Sequence, residues 1–380
     1  VAVSLVGTCS GMTGRRFAIV QEYVPAYRVP LFAAMAAAAA ADGDELVVFA
    51  GEPAGDLARR NDGAGPQPWL RRIRQREFKI LGRRLTLRVL PPAVRRSDLI
   101  VVEQARRNLD VPLLLAWPWT AKKVAMWGHG SDVVKTPSLL ERAYSVALLR
   151  RAAWFFAYTE SGVKWATRVG IDHSKTTVLR NSIDAERLRR DLDAVRLSIV
   201  PDCFQALFIG GLDASKRVGE LIEIATQVHE IEPGFRLVVA GDGELRADVS
   251  AAHDRYSWLE YRGPLSGEDK ARALLESDVL LLPGRVGLVA VDSLVAGRPI
   301  VTLSSSLHAP EYGYLEPGET CLTASSVEEA VMQTVELLRD RAALEAMQER
   351  CRAAAVDFSV EQMARRFRSG MKQAIEDSDD

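Results

Sequence analysis

The chain has 380 residues, 48% of them hydrophobic and 26% charged; this is the balance of a globular protein, and the length calls for two domains rather than one core. No apolar run reaches the ~20 residues that a bilayer-spanning helix needs, and Cys9, Cys203, Cys321 and Cys351 stand apart with no CxxC pair, which argues against a metal cage or a disulfide framework. The formal net charge is −1, yet residues 1–184 hold 27 Lys+Arg against 16 Asp+Glu while the remainder holds 22 against 34.

In chain order, regular pattern begins at RFAIVQEY (17–23 for its apolar part), which makes Met12 an alternative start to Val1. The run LFAAMAAAAAA leads straight into ELVVFAG (45–51) and reads as an Ala-rich helix of the first domain, not as a leader. Basic residues crowd 59–107, from Arg59 and Arg60 to Arg106 and Arg107. They read either as a solvated helix face or as a surface for anionic headgroups or a phosphorylated acceptor. No basic-aromatic interleaving points to nucleic acid. No amphipathic helix with a broad apolar face is evident there, so membrane contact would be electrostatic and peripheral. Strands follow at DLIVVEQ (98–104), KKVAMWGHG (122–130), WFFAYT (154–159) and TTVLRNSID (176–184), with helices at 139–152 and 160–170. A joining segment is expected near 185–204. A second series then runs QALFIGG (205–211), FRLVVAGDG (235–243), SWLEYRG (257–263), DVLLLPG (278–284) and PIVTLSS (299–305), again with helices between. Apolar strands alternating with amphipathic helices predict parallel sheets covered on both faces, and two such series predict two doubly wound domains.

Ligands of such sheets sit beyond the carboxyl ends of the strands. Those ends here are EYVPAYR, WGHGSD, IGGLDASKR, AGDGE, YRGP and LPGRVG. In IGGLDASKR, Gly210 and Gly211 allow close backbone approach, and Lys216 and Arg217 can reach a diphosphate. AGDGE contributes Gly241, Asp242 and Gly243. In PGRVGLVAVD, a helix start supplies the amides of Val286, Gly287 and Leu288 to a phosphate. Asp292 is the lone carboxylate of that apolar helix, so it has either a local partner or a ligand. His129 stands between two glycines after an apolar strand; a lone histidine in such a turn is usually structural. No Ser-His-Asp grouping, P-loop or metal cluster is present in the pattern.

Taken as a set, FIGGLDASKR, VVAGDGE, LEYRGPL and GRVGLVAVD resemble the donor domain of the group-1 glycosyltransferases, glycosyltransferase family 4 of the GT-B fold. The family shows strand–GRLxxxKG–helix, a GDG turn, a V-x-F-x-G strand and an E-x7-E stretch. TTVLRNSID resembles its V-x-x-N-G-V-D, and HAPEYGYLEPGET its later glutamate-bearing loop. The resemblance covers about 155–340, and the first domain only through its architecture and WGHGSD. Two departures stand out: the family's arginine after the first glycine is Gly211 here, and its first glutamate is Gly284. The second glutamate falls on Asp292.

The resemblance implies an α/β, GT-B protein, two doubly wound Rossmann-like domains facing across a cleft. Residues 1–190 would bind the acceptor and 191–359 the nucleotide-sugar donor, with a helix over about 360–380 packing back on the first domain. It implies a retaining glycosyltransferase that needs no cofactor or metal and moves a sugar from a nucleotide diphosphate sugar to a glycan, lipid-linked or natural-product acceptor. His129 would approach the donor sugar. Lys216, Arg217 and Arg262 would serve the donor, and Asp292 its ribose. Tyr27 and Arg28 would face the acceptor, with His308 and Glu311 as candidates for the sugar. The setting would be the cytoplasm, with peripheral contact to an anionic membrane among the expectations. A non-catalytic scaffold of the same fold and a sugar-nucleotide epimerase are the alternatives.

Overall fold

The computed structural model describes residues 14–53, 63–80, 82–130, 138–196, 204–305 and 308–379. Val1 and Met12, Arg59 and Arg60, Cys9 and Cys203, and Ser131 and Asp132 of WGHGSD lie outside the described residues.

Fifteen strands form two large sheets and one hairpin among the described residues. The first sheet is built from β1 (Arg16–Gln21), β2 (Glu45–Ala50), β3 (Leu70–Arg72), β6 (Leu99–Glu103), β7 (Val124–Gly128), β8 (Trp154–Ala157) and β9 (Thr176–Val178). Its order is β3-β2-β1-β6-β7-β8-β9. β1 pairs in parallel with both β2 and β6. The hairpin is β4 (Gln75–Ile80) against β5 (Arg83–Arg88). The second sheet takes β10 (Gln205–Ile209), β11 (Arg236–Ala240), β12 (Leu259–Gly263), β13 (Val279–Leu281), β14 (Ile300–Leu303) and β15 (Cys321–Ala324) in the order β12-β11-β10-β13-β14-β15, with every pair parallel. In both sheets the first strand lies inside, the next two run outward on one side, and the chain then crosses to the other side. This is the doubly wound order, with a switch point between β1 and β6 in one sheet and between β10 and β13 in the other.

The chain divides into two compact units, one of Val1–Trp127, Tyr144–Phe156 and Phe367–Asp380, the other of Gly128–Ala143 and Ala157–Arg366. In the first, Phe17, Ala18, Ile19 and Val20 of β1 and Leu99 to Val102 of β6 are buried on both faces, as a central parallel strand requires. The last helix brings Phe367 against Trp127 and Phe156, with ring centroids 5.0 and 4.5 Å away. Its Arg368 binds Asp44 at 3.0 Å and also pairs with Asp42. In the second unit the core gathers both faces of the β10–β15 sheet. The segment expected to be a joining stretch is the helix Ala185–Val195, whose Leu188, Leu192 and Val195 belong to that core; its tail at 197–203 lies outside the described residues. After Ser326 the chain forms two helices, Val327–Arg339 and Arg341–Ala354, because Asp340 leaves helical geometry and its carboxylate caps the Ala343 amide. No described helix is long and apolar enough to cross a membrane.

The basic stretch differs from the helix face expected of it: residues 75–88 are a hairpin. Its alternation of period two escapes a search for apolar inner positions because its inner face is the polar one. Arg88, Thr86 and Glu77 point toward the body, and Arg88 is fully buried against Asp110 at 2.7 Å.

Candidate functional site

Three glycine-bearing turns meet at the switch point of the second sheet. A Cβ on Gly241 would lie 1.8 Å from the Gly210 carbonyl oxygen, and one on Gly243 would lie 2.4 Å from that of Leu212. These turns therefore pack backbone on backbone, tied by Gly210 N to Ala240 O at 3.0 Å and Leu212 N to Asp242 O at 2.9 Å. Asp242 turns its carboxylate back onto the Gly243 amide at 2.9 Å. Across the switch point, a Cβ on Gly284 would lie 2.3 Å from the Lys216 carbonyl carbon, and Arg285 N donates to Ser215 O at 2.8 Å. The place where the family carries its first glutamate is thus filled by the 215–216 main chain.

Lys216 ends a short 3-10 turn opened by Asp213, whose carboxylate accepts from the Ser215 amide at 2.8 Å. Its Nζ donates to Arg285 O at 2.6 Å, and burial pushes its ammonium below the ordinary lysine value. Arg285 leads into the helix Val289–Ala296, whose Ala290 and Val291 amides already donate to Gly287 O and Leu288 O, both at 2.9 Å. The Val286 amide is already committed, because it donates to His308 Nδ1 at 3.2 Å. That removes Val286 from the expected phosphate-holding set and leaves Gly287 and Leu288. His308 Nε2 lies 3.1 Å from Leu303 O, and Ala309 N donates to Val286 O at 2.9 Å. With one ring nitrogen accepting and the other facing a carbonyl, the imidazole is the neutral Nε2–H tautomer. Burial lowers its pKa, and the nearby Lys216 adds to the effect. His308 therefore clamps the loop after β14 to the loop after β13, a different task from the expected sugar contact.

Asp292 has a local partner: it is 7% exposed and accepts from Lys270 Nζ at 2.6 Å. Sequence reasoning missed Lys270, which lies 22 positions away on the helix Gly267–Glu276, with no local signal linking the two. Arg262 is committed to Glu260 at 2.9 Å and Glu276 at 2.7 Å, and these carboxylates raise its pKa. Arg217 adopts a left-handed φ of 55° and pairs with Glu220 at 2.8 Å. The structure thus brings Gly210, Gly211, Lys216, Gly284 to Leu288 and His308 together, and it places Arg262 and Arg217 in ion pairs of their own.

His129 is half-buried and packs its ring on Tyr158, centroids 4.4 Å apart. Tyr158 O accepts from the Tyr314 hydroxyl at 3.2 Å and from the Asn181 amide at 3.1 Å. The Asn181 side chain in turn donates to Glu311 Oε1 at 2.6 Å, both residues being almost fully buried. This chain links His129 to the same 308–314 loop that His308 holds, and Asn181 was not singled out from the sequence. In the first unit Tyr27 is 46% exposed, whereas Arg28 is buried with its guanidinium 4.8 Å over the Trp127 ring. Arg28 thus anchors the loop that carries Tyr27.

Residues 204–340 match the family model described as "Glycosyl transferases group 1". They form a domain of that kind, and the α/β architecture with two Rossmann-like halves is the GT-B fold. The chain is 30% identical over 135 residues to a glycogen synthase of Mycobacterium tuberculosis, an overlap covering 34% of this chain and 32% of that protein. It is 28% identical over 243 residues to the GDP-mannose-dependent alpha-(1-6)-phosphatidylinositol dimannoside mannosyltransferase of the same organism, covering 57% of this chain and 61% of that one. The chain thus spans about a third to three-fifths of the curated relatives it matches. The crystal structure of Anabaena Alr3699/HepE in complex with UDP superposes with a TM-score of 0.64 at 16% identity, over 94% of this chain and 99% of that chain.

Proposed function

We propose that the chain is a glycosyltransferase that moves a sugar from a nucleotide diphosphate sugar to a hydroxyl of a glycan, lipid-linked or natural-product acceptor, with retention at the anomeric carbon and without a metal. The observation that carries the reading is Lys216: an ammonium partly withdrawn from water, held by Arg285 O at the switch point of a parallel sheet, beside the start of the helix Val289–Ala296. A desolvated cation next to helix amides suits a diphosphate leaving group. Glycosyltransferase, UDP and GDP-mannose in the names of similar proteins support the same class.

In this mechanism the acceptor oxygen bonds to the anomeric carbon on the face that the diphosphate leaves. The bond from that carbon to the phosphate oxygen breaks, and the acceptor proton passes to the leaving oxygen. Lys216 and the Gly287 and Leu288 amides stabilise the charge that develops there. His129, fixed by its packing on Tyr158, contacts the donor sugar, and the second oxygen of Asp292 takes a ribose hydroxyl. The protein contributes position and field rather than a nucleophile.

The packed space at Gly284 favours a second reading, a protein of this fold that binds a nucleotide sugar without transferring it. Nucleotide diphosphate release from a panel of UDP-, GDP- and ADP-sugars separates the two. Release from one donor, stimulated by an acceptor, supports the transferase; saturable binding with no release supports the binding protein; neither binding nor release refutes both.

A further inference from the structure

The hairpin β4–β5 is inverted. Cross-strand partners share a face, so the register Arg76↔Leu87, Phe78↔Leu85 and Ile80↔Arg83 puts these six side chains on one side. That side looks outward: Phe78 is 41% and Ile80 55% exposed, and Val89, which pairs back to Arg74 O at 2.9 Å, is 53% exposed. The opposite face carries Arg84, Thr86 and Arg88 inward, where Arg88 meets Asp110 and Glu103, and Arg84 meets Glu22. A half-covered antiparallel sheet normally buries its apolar face and solvates its polar one. Here the chain accepts the cost of burying charge in order to display apolar side chains. Exposed apolar patches of this kind mark binding surfaces.

Charge identifies the occupant. Residues 71–89 contain eight Arg and Lys against the single acid Glu77, and Glu77 lies on the inner face. Arg74 and Arg76 are exposed on the apolar side, and no acid shares it. Basic groups flanking a shallow apolar tip match an anionic lipid surface, in which hydrocarbon takes the tip and headgroups take the guanidinium groups. We infer that β4–β5 is a membrane-docking hairpin that seats this chain on an anionic bilayer. This extends the purely electrostatic contact expected from sequence, and it stands independently of the donor reading.

Vesicle sedimentation tests the inference, with phosphatidylcholine alone compared with phosphatidylcholine containing about a third phosphatidylglycerol. The expected result is binding to the acidic vesicles that weakens with salt. Phe78→Ser/Ile80→Ser should lower the partition coefficient at least tenfold, and Arg74→Gln/Arg76→Gln should lower it and flatten its salt dependence. Circular dichroism melts confirm that each variant is folded; nucleotide binding should match the parent because neither pair lies in the donor unit. Equal recovery on neutral and acidic vesicles overturns the inference. So does full binding by the Phe78/Ile80 variant, which would leave charge alone at work. A concentration-dependent dimer that this variant abolishes, with no vesicle binding, assigns the face to a second copy instead.

Discussion

The Val286 amide donates to His308 Nδ1 at 3.2 Å, and the next residue, Ala309, donates back to Val286 O at 2.9 Å. Two loops from neighbouring strands are thereby locked by one neutral imidazole. Protonation would put a hydrogen on the acceptor nitrogen and break the first bond.

Stability should therefore follow the His308 titration. Its folded pKa lies below the ordinary 6.5, so the unfolded chain binds the proton first. The contribution is fully present above about pH 6.5 and lost as pH falls through the lower folded value. His308→Leu should cost about 1–3 kcal/mol at neutral pH by orphaning Val286 N and Leu303 O. It should also flatten the dependence of the melting temperature on pH between about 5 and 7. A variant with the parent's slope would place that titration elsewhere.

Lys216 gives a pH signature of the opposite kind. Its lowered pKa means that the cation wanted by a diphosphate is lost at a pH below 10.5 in the free protein. Nucleotide diphosphate affinity should fall as pH rises into that range, while Lys216→Arg, charged throughout, should bind with a flatter profile. Lys216→Ala should lower kcat/KM at least about tenfold, or about 1.4 kcal/mol. Calorimetry across pH and steady-state kinetics read both effects.

The Lys270–Asp292 pair should respond asymmetrically. The lysine side chain is 23% exposed and the aspartate 10%. Lys270→Ala strands the more buried carboxylate and should cost about 1–3 kcal/mol. Asp292→Asn leaves an ammonium that can turn toward water, at a cost of about 1 kcal/mol or less. If Asp292 also holds ribose, only the asparagine variant should lose affinity for nucleoside diphosphate while keeping its melting temperature. Equal stability losses in the two variants would contradict the asymmetry.

Gly284→Ala should lower the melting temperature and donor affinity together. Its methyl would meet the Lys216 main chain at 2.3 Å, so the 215–216 turn must move. The expected cost is about 1–3 kcal/mol. Differential scanning calorimetry beside nucleotide titration decides this, and a variant with unchanged Tm would show that the turn yields freely.

Most of the second sheet could be read from the sequence because its strands are apolar on both faces and end in glycine. The helix Val218–Ile231 lies between two of those strands, as the alternation predicts. The hairpin could not be read, since its pattern is inverted. The short strands Leu70–Arg72 and Cys321–Ala324 also escaped notice, having too few residues to show a period. Within the site, turn glycines and Lys216 stand out by local spacing. The partners that define the geometry, Lys270 for Asp292 and Asn181 for Glu311, are 22 and 130 positions away. His308 stands out in its loop, but its two backbone bonds depend on how the loops after β13 and β14 converge, which no linear pattern encodes.

Glu22, just after β1, divides its carboxylate: Oε1 meets Arg84 of the hairpin, and Oε2 takes Arg107 from the loop after β6 at 2.5 Å. It is 2% exposed, and its amide donates to Glu103 Oε2 at 2.9 Å. Lifting the hairpin away would take one of the two cations from this buried carboxylate and leave it with Arg107 alone. The hairpin, the loop after β6 and the loop that begins at Glu22 and runs to Tyr27 are therefore joined through one buried carboxylate. A force on the hairpin tip is delivered to the floor of the first sheet's switch point, four residues before Ala26, rather than being absorbed by a soft hinge.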